Sequence, residues 1–166
     1  VDAFKHGAAR MRIGKKWGFI DMQGKEIVAP KYDFVYDFDE DLADVMLNGK
    51  YGFIDKTGKE VIALKYTAAH SFHEGHAAVA INDKWGYINK SGKEITALKY
   101  ENIHDYENGI AEVMIDHKHG LINKSGKEIT PIKYDAVYIQ KNTKLIIVKL
   151  NDVFGIADTA KKKVIG

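Results

Sequence analysis

The feature that most constrains the fold of this chain is a short motif that returns at a fixed interval. A large ring followed by glycine occurs at Trp17, Tyr51, Trp85 and His119. The glycines of these pairs, Gly18, Gly52, Gly86 and Gly120, are 34 residues apart, and Gly155 follows after 35. A constant period of this length is typical of repeat proteins, in which each copy is a small unit that its neighbours bury.

Other positions keep the same interval. A Gly-Lys-Glu turn recurs at Gly24, Gly58, Gly92 and Gly126, and a Lys-Tyr pair ends at Tyr32, Tyr66, Tyr100 and Tyr134. We therefore interpret residues 1–166 as a single domain of five units, anchored at the five glycines named above. The last unit is degenerate, because Lys161 replaces the turn glycine and Ala157 replaces an isoleucine. Such a unit is a candidate cap.

Each unit has the pattern of short strands. Residues 77–81, 85–89 and 94–97 are rich in β-branched and aromatic side chains and are bounded by turn residues, and a further extended piece is expected over 32–38 and its equivalents. The sequence therefore predicts an all-β fold of tandem antiparallel β-meanders. Neither end supplies the fourth piece that would close a ring, which favours an open β-solenoid-like array over a closed five-bladed propeller.

Composition excludes several classes of function. The 25 basic and 23 acidic residues are interspersed, so no basic face for nucleic acid is expected. The chain has no cysteine, which excludes disulfides and thiolate-bound metals. No apolar run is long enough to insert into a membrane. Ser91 and Ser125 occupy turn positions, and no constellation of nucleophile and base indicates catalysis.

The recurring Lys-Trp-Gly-Phe-Ile-Asp, Gly-Lys-Glu-Ile and Pro-Lys-Tyr-Asp elements resemble the WG-repeat (KWG) family. Residues 16–33 carry the pattern almost complete, and the likeness extends from Phe4 to Val164. Tyr51, His119 and Phe154 depart from it, since they stand where the family has tryptophan. The resemblance implies a bacterial, non-catalytic repeat, often in exported or envelope proteins. It implies no catalytic residue and no cofactor.

The ring column is the candidate ligand-binding site. If the units stack, Trp17, Tyr51, Trp85 and His119 would lie in a row, and flat rings in a row can contact an extended chain or the C–H faces of sugars. The same side chains could equally serve as packing between the units. The Lys25, Lys59, Lys93 and Lys127 column alternates with glutamates, which indicates a solvated charge row.

Two clusters are weak metal candidates. His70, His73 and His76 are three residues apart, a spacing that puts successive side chains of a strand on opposite faces. Asp37, Asp39 and Asp41 begin like a calcium loop, but the loop glycine and the closing glutamate are missing. A surface histidine cluster and a solvated acidic loop are the alternatives, and no metal site is predicted.

These observations favour a repeat module that binds a protein or a peptide. We expect it to be part of a larger bacterial exported or envelope protein. The alternative is a module that binds carbohydrate or cell-wall glycan through the ring column.

Overall fold

The computed structural model describes residues 1–140, 145–158 and 163–165, and this part of the chain forms strands and turns without a helix. It therefore contains no helix long and apolar enough to cross a membrane. The strands form five small sheets, in which each strand pairs antiparallel with its neighbour along the chain. None of the sheets closes into a barrel. The predicted all-β architecture of tandem antiparallel meanders is confirmed.

The sheets follow one another along the chain. The first contains β1 (Ala8–Ile13), β2 (Lys16–Asp21) and β3 (Glu26–Tyr32). The second contains β4 (Phe34–Val35), β5 (Leu42–Leu47), β6 (Lys50–Asp55) and β7 (Glu60–Tyr66). The third contains β8 (Ala68–Ala69), β9 (His76–Ile81) and β10 (Lys84–Asn89). The fourth contains β11 (Asn102–Ile103), β12 (Ile110–Ile115), β13 (Lys118–Asn123) and β14 (Glu128–Tyr134). The fifth contains β15 (Ala136–Ile139), β16 (Ile146–Leu150), β17 (Val153–Asp158) and β18 (Lys163–Ile165).

The hairpin turns lie where the recurring Gly-Lys-Glu predicts them. After β6, Asp55 Oδ1 accepts hydrogen bonds from the backbone N–H groups of Thr57 and Lys59, at 2.8 and 3.1 Å. Gly58 then adopts φ +81°, a left-handed conformation that costs glycine little. The same side-chain bonds recur after β2, β10 and β13. Local sequence therefore fixes the register of each hairpin.

The anchor glycine is required by a crossing of backbones. At Gly52 an added Cβ would lie 2.5 Å from the carbonyl oxygen of Ile62 and 2.8 Å from the nitrogen of Leu64. The pairing of β6 with β7 shifts register at this point, so that β7 passes directly over the glycine. Gly18, Gly86 and Gly120 have similarly close neighbours. Glycine is the residue that permits this approach, which explains the invariant second position of the motif.

The hydrophobic core lies between consecutive sheets. In the first interface Phe19 and Tyr32 from one sheet pack against Val35, Phe38 and Val45 from the next. The same arrangement joins the second sheet to the third, the third to the fourth and the fourth to the fifth. Among the described residues no such cluster joins the fifth sheet to the first, in agreement with the predicted open array. Each interior sheet is thus stabilised by its two neighbours.

The structure corrects one strand and reassigns another. The sequence predicts a strand over 94–97, but a single isolated bridge, between Ile88 and Glu94, ties this segment to β10, and Ile95 and Thr96 both donate to the same carbonyl oxygen of Tyr87. That shared acceptor interrupts the ladder. The extended piece expected over 32–38 exists as β4, but it pairs with β5 and therefore opens the following sheet.

Carboxylates connect neighbouring sheets at their turns. Glu74 accepts hydrogen bonds from the backbone N–H groups of Asn108 and Gly109, at 2.7 and 2.9 Å, and pairs with Lys124 at 3.0 Å. One repeat earlier, Glu40 accepts from the N–H of Gly75 and pairs with Lys90. Hydrogen bonds to an ionised acceptor are stronger than neutral ones, so each glutamate holds the next turn in place.

We expect Glu74→Ala to lower the free energy of unfolding by about 2 kcal/mol, since two backbone donors lose a charged acceptor. Hydrogen exchange at the amides of Asn108 and Gly109 should accelerate as well. Chemical denaturation and exchange measured by NMR would check both effects. Glu60→Ala, at an exposed position at the start of β7, is the matched control and should change stability by less than about 0.5 kcal/mol. Equal effects of the two substitutions would contradict the role given to Glu74.

Candidate functional site

The predicted ring column occupies equivalent places in successive sheets. Trp17, Tyr51, Trp85 and His119 lie near the start of β2, β6, β10 and β13, and each is half-buried. Trp17, Tyr51 and Trp85 also pack against the hydrophobic clusters between the sheets. Part of each of these three rings therefore contributes to packing while another part remains accessible. Whether the accessible part binds a ligand stays a prediction.

Each ring is one member of a small cluster of side chains from its own sheet and the segment next to it. In the third sheet the ring of His70 lies 4.9 Å from that of Trp85. In the fourth sheet His119 Nδ1 is 2.6 Å from a carboxylate oxygen of Glu112, and a small cavity beside them also contacts His104. In the first sheet the Arg10 guanidinium lies 6.0 Å from the ring of Trp17.

The corresponding cluster of the second sheet consists of Tyr36, Asp44 and Tyr51. Burial raises the pKa of Tyr51, and the nearby Tyr36 and Asp44 raise it further. Tyr36 is 42% exposed, which makes it the most accessible ring of this cluster. In the fifth sheet the rings of Tyr138 and Phe154 are 6.4 Å apart and largely exposed.

Contacts between sheets join the clusters into one surface. Phe34 lies 5.8 Å from Trp17 and 5.0 Å from Tyr36, so rings run from the first sheet to the second. The hydroxyl of Ser71, from the third sheet's segment, donates to Asp44 Oδ1 at 2.7 Å. We call this surface the polar–aromatic band; it comprises Arg10, Trp17, Phe34, Tyr36, Asp44, Tyr51, His70, Ser71, Trp85, Asp105, Glu112 and His119.

A cavity of about 280 Å³ opens in the band between the second and third sheets. Asp44, at 1% exposure, is its buried member, and burial raises the pKa of its carboxyl to about 6. The repeat pattern does not point to Asp44, because its column holds a different residue in every copy: Arg10, Ala78, Glu112 and Ile147. The signal that could have found it is an acidic residue inside a strand, between Ala43 and Val45.

The two weak metal candidates are dispersed among other partners. His70 pairs with Asp105 at 3.1 Å, whereas His76 contacts the backbone oxygens of Glu74 and Lys124. Asp37 binds Lys5 and Arg10, and Asp41 binds Lys56. His73 and Asp39 line the cavity. Across residues 1–140, 145–158 and 163–165, no group of three histidine or acidic side chains is placed to hold a metal ion.

A second opening is apolar and lies between the fourth and fifth sheets, where Tyr134, Leu150 and Phe154 line about 200 Å³. The groove lies beside Gly155, the fifth anchor glycine. The first four anchor glycines each have a larger residue from the crossing segment next to them: Pro30, Leu64, Leu98 and Ile132. Neither a carboxylate nor an imidazole is among the residues that line this groove. The chemistry of this groove therefore differs from that of the band, because its lining has no cluster of carboxylates and imidazoles.

The geometry defines a class of protein: an array of antiparallel β-meanders with a band of rings and charges across successive sheets. The model of the WG containing repeat matches four tandem stretches, 17–51, 51–85, 85–118 and 120–154. The chain therefore belongs to the WG-repeat family, as its motifs predict. No curated protein matches the sequence well enough to count as a relative.

Solved structures share the fold at low sequence identity. Kluyveromyces lactis Hsv2 superposes with a TM-score of 0.52 at 9% identity, over 96% of this chain and 59% of Hsv2. Its variant with loop 6CD replaced by a Gly-Ser linker gives 0.52 at 10% identity, over 92% and 59%. An extracellular domain described as that of a hybrid two-component system of B. thetaiotaomicron gives 0.47 at 13% identity, over 97% and 27%.

The chain thus spans about three-fifths of the length of Hsv2, 59%. Hsv2 is a β-propeller-like repeat protein. The likeness concerns the fold alone, in which small sheets pack face to face in sequence.

Proposed function

We propose that the chain is a non-catalytic binding module that recognises a peptide segment or an extended loop of another protein along the polar–aromatic band. The observation that carries the proposal is the continuity of the band: half-exposed rings recur at one position in successive sheets, and Phe34 contacts both Trp17 of the first sheet and Tyr36 of the second. Rings that are held on one side by packing lose little conformational freedom on binding, which makes them efficient anchors.

The mixture of rings and charges favours a peptide over a glycan. Carboxylates and imidazoles alternate with the rings at Asp44, His70, Asp105 and Glu112. An extended peptide offers both apolar side chains and charges to such a surface, whereas a neutral sugar can stack on the rings and hydrogen-bond to the carboxylates but has no charge to pair with them. Glycan binding through the same rings is the second candidate. A partner in the bacterial envelope or outside the cell is the setting that the family resemblance suggests.

The test is selection of peptides from a random display library against the whole chain, alongside an array of cell-wall and other oligosaccharides. We expect enriched peptides whose affinity drops at least about tenfold in Tyr36→Ala, because an aromatic anchor buried by the peptide contributes about 2 kcal/mol and a tenfold change corresponds to about 1.4 kcal/mol. Tyr36 is chosen because its exposure lets the fold survive truncation. Met22→Ala, at a 70% exposed turn residue away from the band, should bind normally.

Two outcomes would overturn the proposal. Binding of an oligosaccharide that Tyr36→Ala abolishes, with no peptide enriched, would establish the glycan alternative. Enriched peptides that bind Tyr36→Ala as tightly as the parent chain would place the binding surface elsewhere on the molecule.

A further inference from the structure

The cavity between the second and third sheets contains a carboxyl group that its surroundings do not satisfy. Asp44 Oδ1 accepts the hydroxyl hydrogen of Ser71 at 2.7 Å, but Oδ2 is buried and has no hydrogen-bond partner. A buried polar atom without a partner costs roughly 1–3 kcal/mol, and more when the group is charged. Such an atom needs a reason to be retained at the edge of a cavity.

The rest of the lining is acidic and aromatic. Tyr36, Asp39, His70, His73 and Asp105 line the cavity together with Asp44, Ala69, Ser71 and Phe72. Three carboxyl groups thus face two imidazoles. Asp105 is engaged by His70 at 3.1 Å, and this hydrogen bond lowers the pKa of the Asp105 carboxyl. Asp44 and Asp39 have no comparable cationic partner among the lining residues.

The volume of the cavity is sufficient for a functional group together with the part of the chain that carries it. At about 280 Å³ the cavity is smaller than most sites for whole drug-sized ligands, which occupy roughly 300–1,000 Å³. The lining carboxyls are not arranged to chelate a metal ion. A cationic group in the cavity would offset the negative charge that Asp44 buries against the cavity wall, and it would contact the ring of Tyr36 at the rim.

We infer that this cavity binds a protonated primary amine, as carried by a lysine side chain or by the N-terminus of a peptide. The inference rests on the proposed peptide recognition for its biological source, but the site can be tested without any peptide. The ammonium group has three donors and no acceptor, so it complements a pocket lined by three carboxyl groups. It would set the register of a peptide that lies along the band.

The probes are Nα-acetyl-lysine methylamide, its Nε-acetylated counterpart and glycine methylamide, titrated into the full chain while the histidine ring signals are followed by NMR. We expect the free amine of lysine or of glycine to shift the His70 signal, and Nε-acetylation to weaken lysine binding at least about tenfold. The two amines distinguish a side chain from an N-terminus as the source.

Asp44→Asn should weaken amine binding at least about tenfold, because the amide lacks the charge. Asp41→Asn is the matched control: it removes one carboxylate from the same sheet, at a residue whose side chain is 79% exposed and paired with Lys56. Equal binding by Asp44→Asn and the parent chain, or equal binding of free and acetylated lysine, would overturn the inference. A calcium-induced shift with no response to either amine would do so as well.

The test separates this inference from the proposed function. If the amines shift the His70 signal but the chain selects no peptide, the assignment of the cavity stands and the peptide proposal fails. Peptides that bind the band without any preference for a free amine leave the proposed function standing and remove the cavity assignment.

Discussion

Asp44→Asn is expected to stabilise the protein at neutral pH, by as much as about 3 kcal/mol. The carboxyl is 1% exposed and its pKa is about 6 against an ordinary value of 3.8. Burial is the dominant cause, while the Ser71 hydroxyl and the charge of His70 favour the ionised form and Asp39 opposes it. A difference of about two pKa units corresponds to about 3 kcal/mol between the two protonation states. Asparagine keeps the acceptor for Ser71 and removes the charge.

The pH dependence of the free energy of unfolding distinguishes the loss of a buried charge from a simple change in packing. Because the pKa of Asp44 is higher in the folded state, the parent chain loses stability as pH rises from about 4 to about 6. The advantage of Asp44→Asn should therefore be near zero below about pH 4 and complete above about pH 6. Urea denaturation of both chains at several pH values would measure it. Asp41→Asn should show no gain, since Lys56 lowers the pKa of that exposed carboxyl.

A variant that is more stable but no longer binds the amine would identify Asp44 as a residue retained for function at the expense of stability. An Asp44→Asn chain that is less stable than the parent at pH 7 would instead show that the ionised carboxylate has a stabilising partner.

Gly52→Ala is expected to destabilise the protein by about 3 kcal/mol, at the upper end of what overpacking costs. The new Cβ would meet the backbone of Ile62, Ala63 and Leu64 at 2.5–2.9 Å, and backbone atoms cannot rotate away as a side-chain end can. β7 would have to lift from β6, which would also disturb the buried Tyr66. Thermal and urea unfolding would show the loss.

Gly49→Asp is the control for this substitution. Gly49 has φ +71°, and nothing lies within 4 Å of an added Cβ. Equivalent turns already hold Asp83 and Asp152 at φ 60° and 63°. The change should therefore cost less than about 1 kcal/mol. If Gly52→Ala were tolerated as well as Gly49→Asp, the close crossing over the anchor glycine would not be what the motif requires.

Local chemistry explains which parts of the fold could be predicted. A recurring turn such as that from Asp55 to Lys59 depends on five adjacent residues, so its local sequence suffices to predict it. Residues 94–97 have the composition of a strand, yet their pairing depends on how Ile95 and Thr96 meet the carbonyl of Tyr87. That geometry arises only once the two segments are in contact, and composition does not encode it.

The candidate site is predictable only where it repeats. Trp17 and Trp85 share one column of the repeat, and this recurrence alone marks them as candidates. Asp44, Ser71 and Asp105 come from successive units and line the same cavity. The column of Asp44 holds a different residue in each copy, and the column that contains Ser71 and Asp105 mixes serine with aspartate. Their proximity follows from the packing of the second, third and fourth sheets in sequence, which a search for shared columns does not reveal.

The limits of the family's repeats and the limits of the sheets do not coincide. The stretch 51–85 begins inside β6 and ends inside β10, so it holds the end of one sheet, the start of the next and the core between them. If recombination duplicated or deleted such a stretch, the two partial sheets at the junction would combine into one complete sheet. The core between two sheets would be gained or lost as a unit. Arrays of this kind can therefore change in length in a single genetic step without leaving an interior strand unpaired.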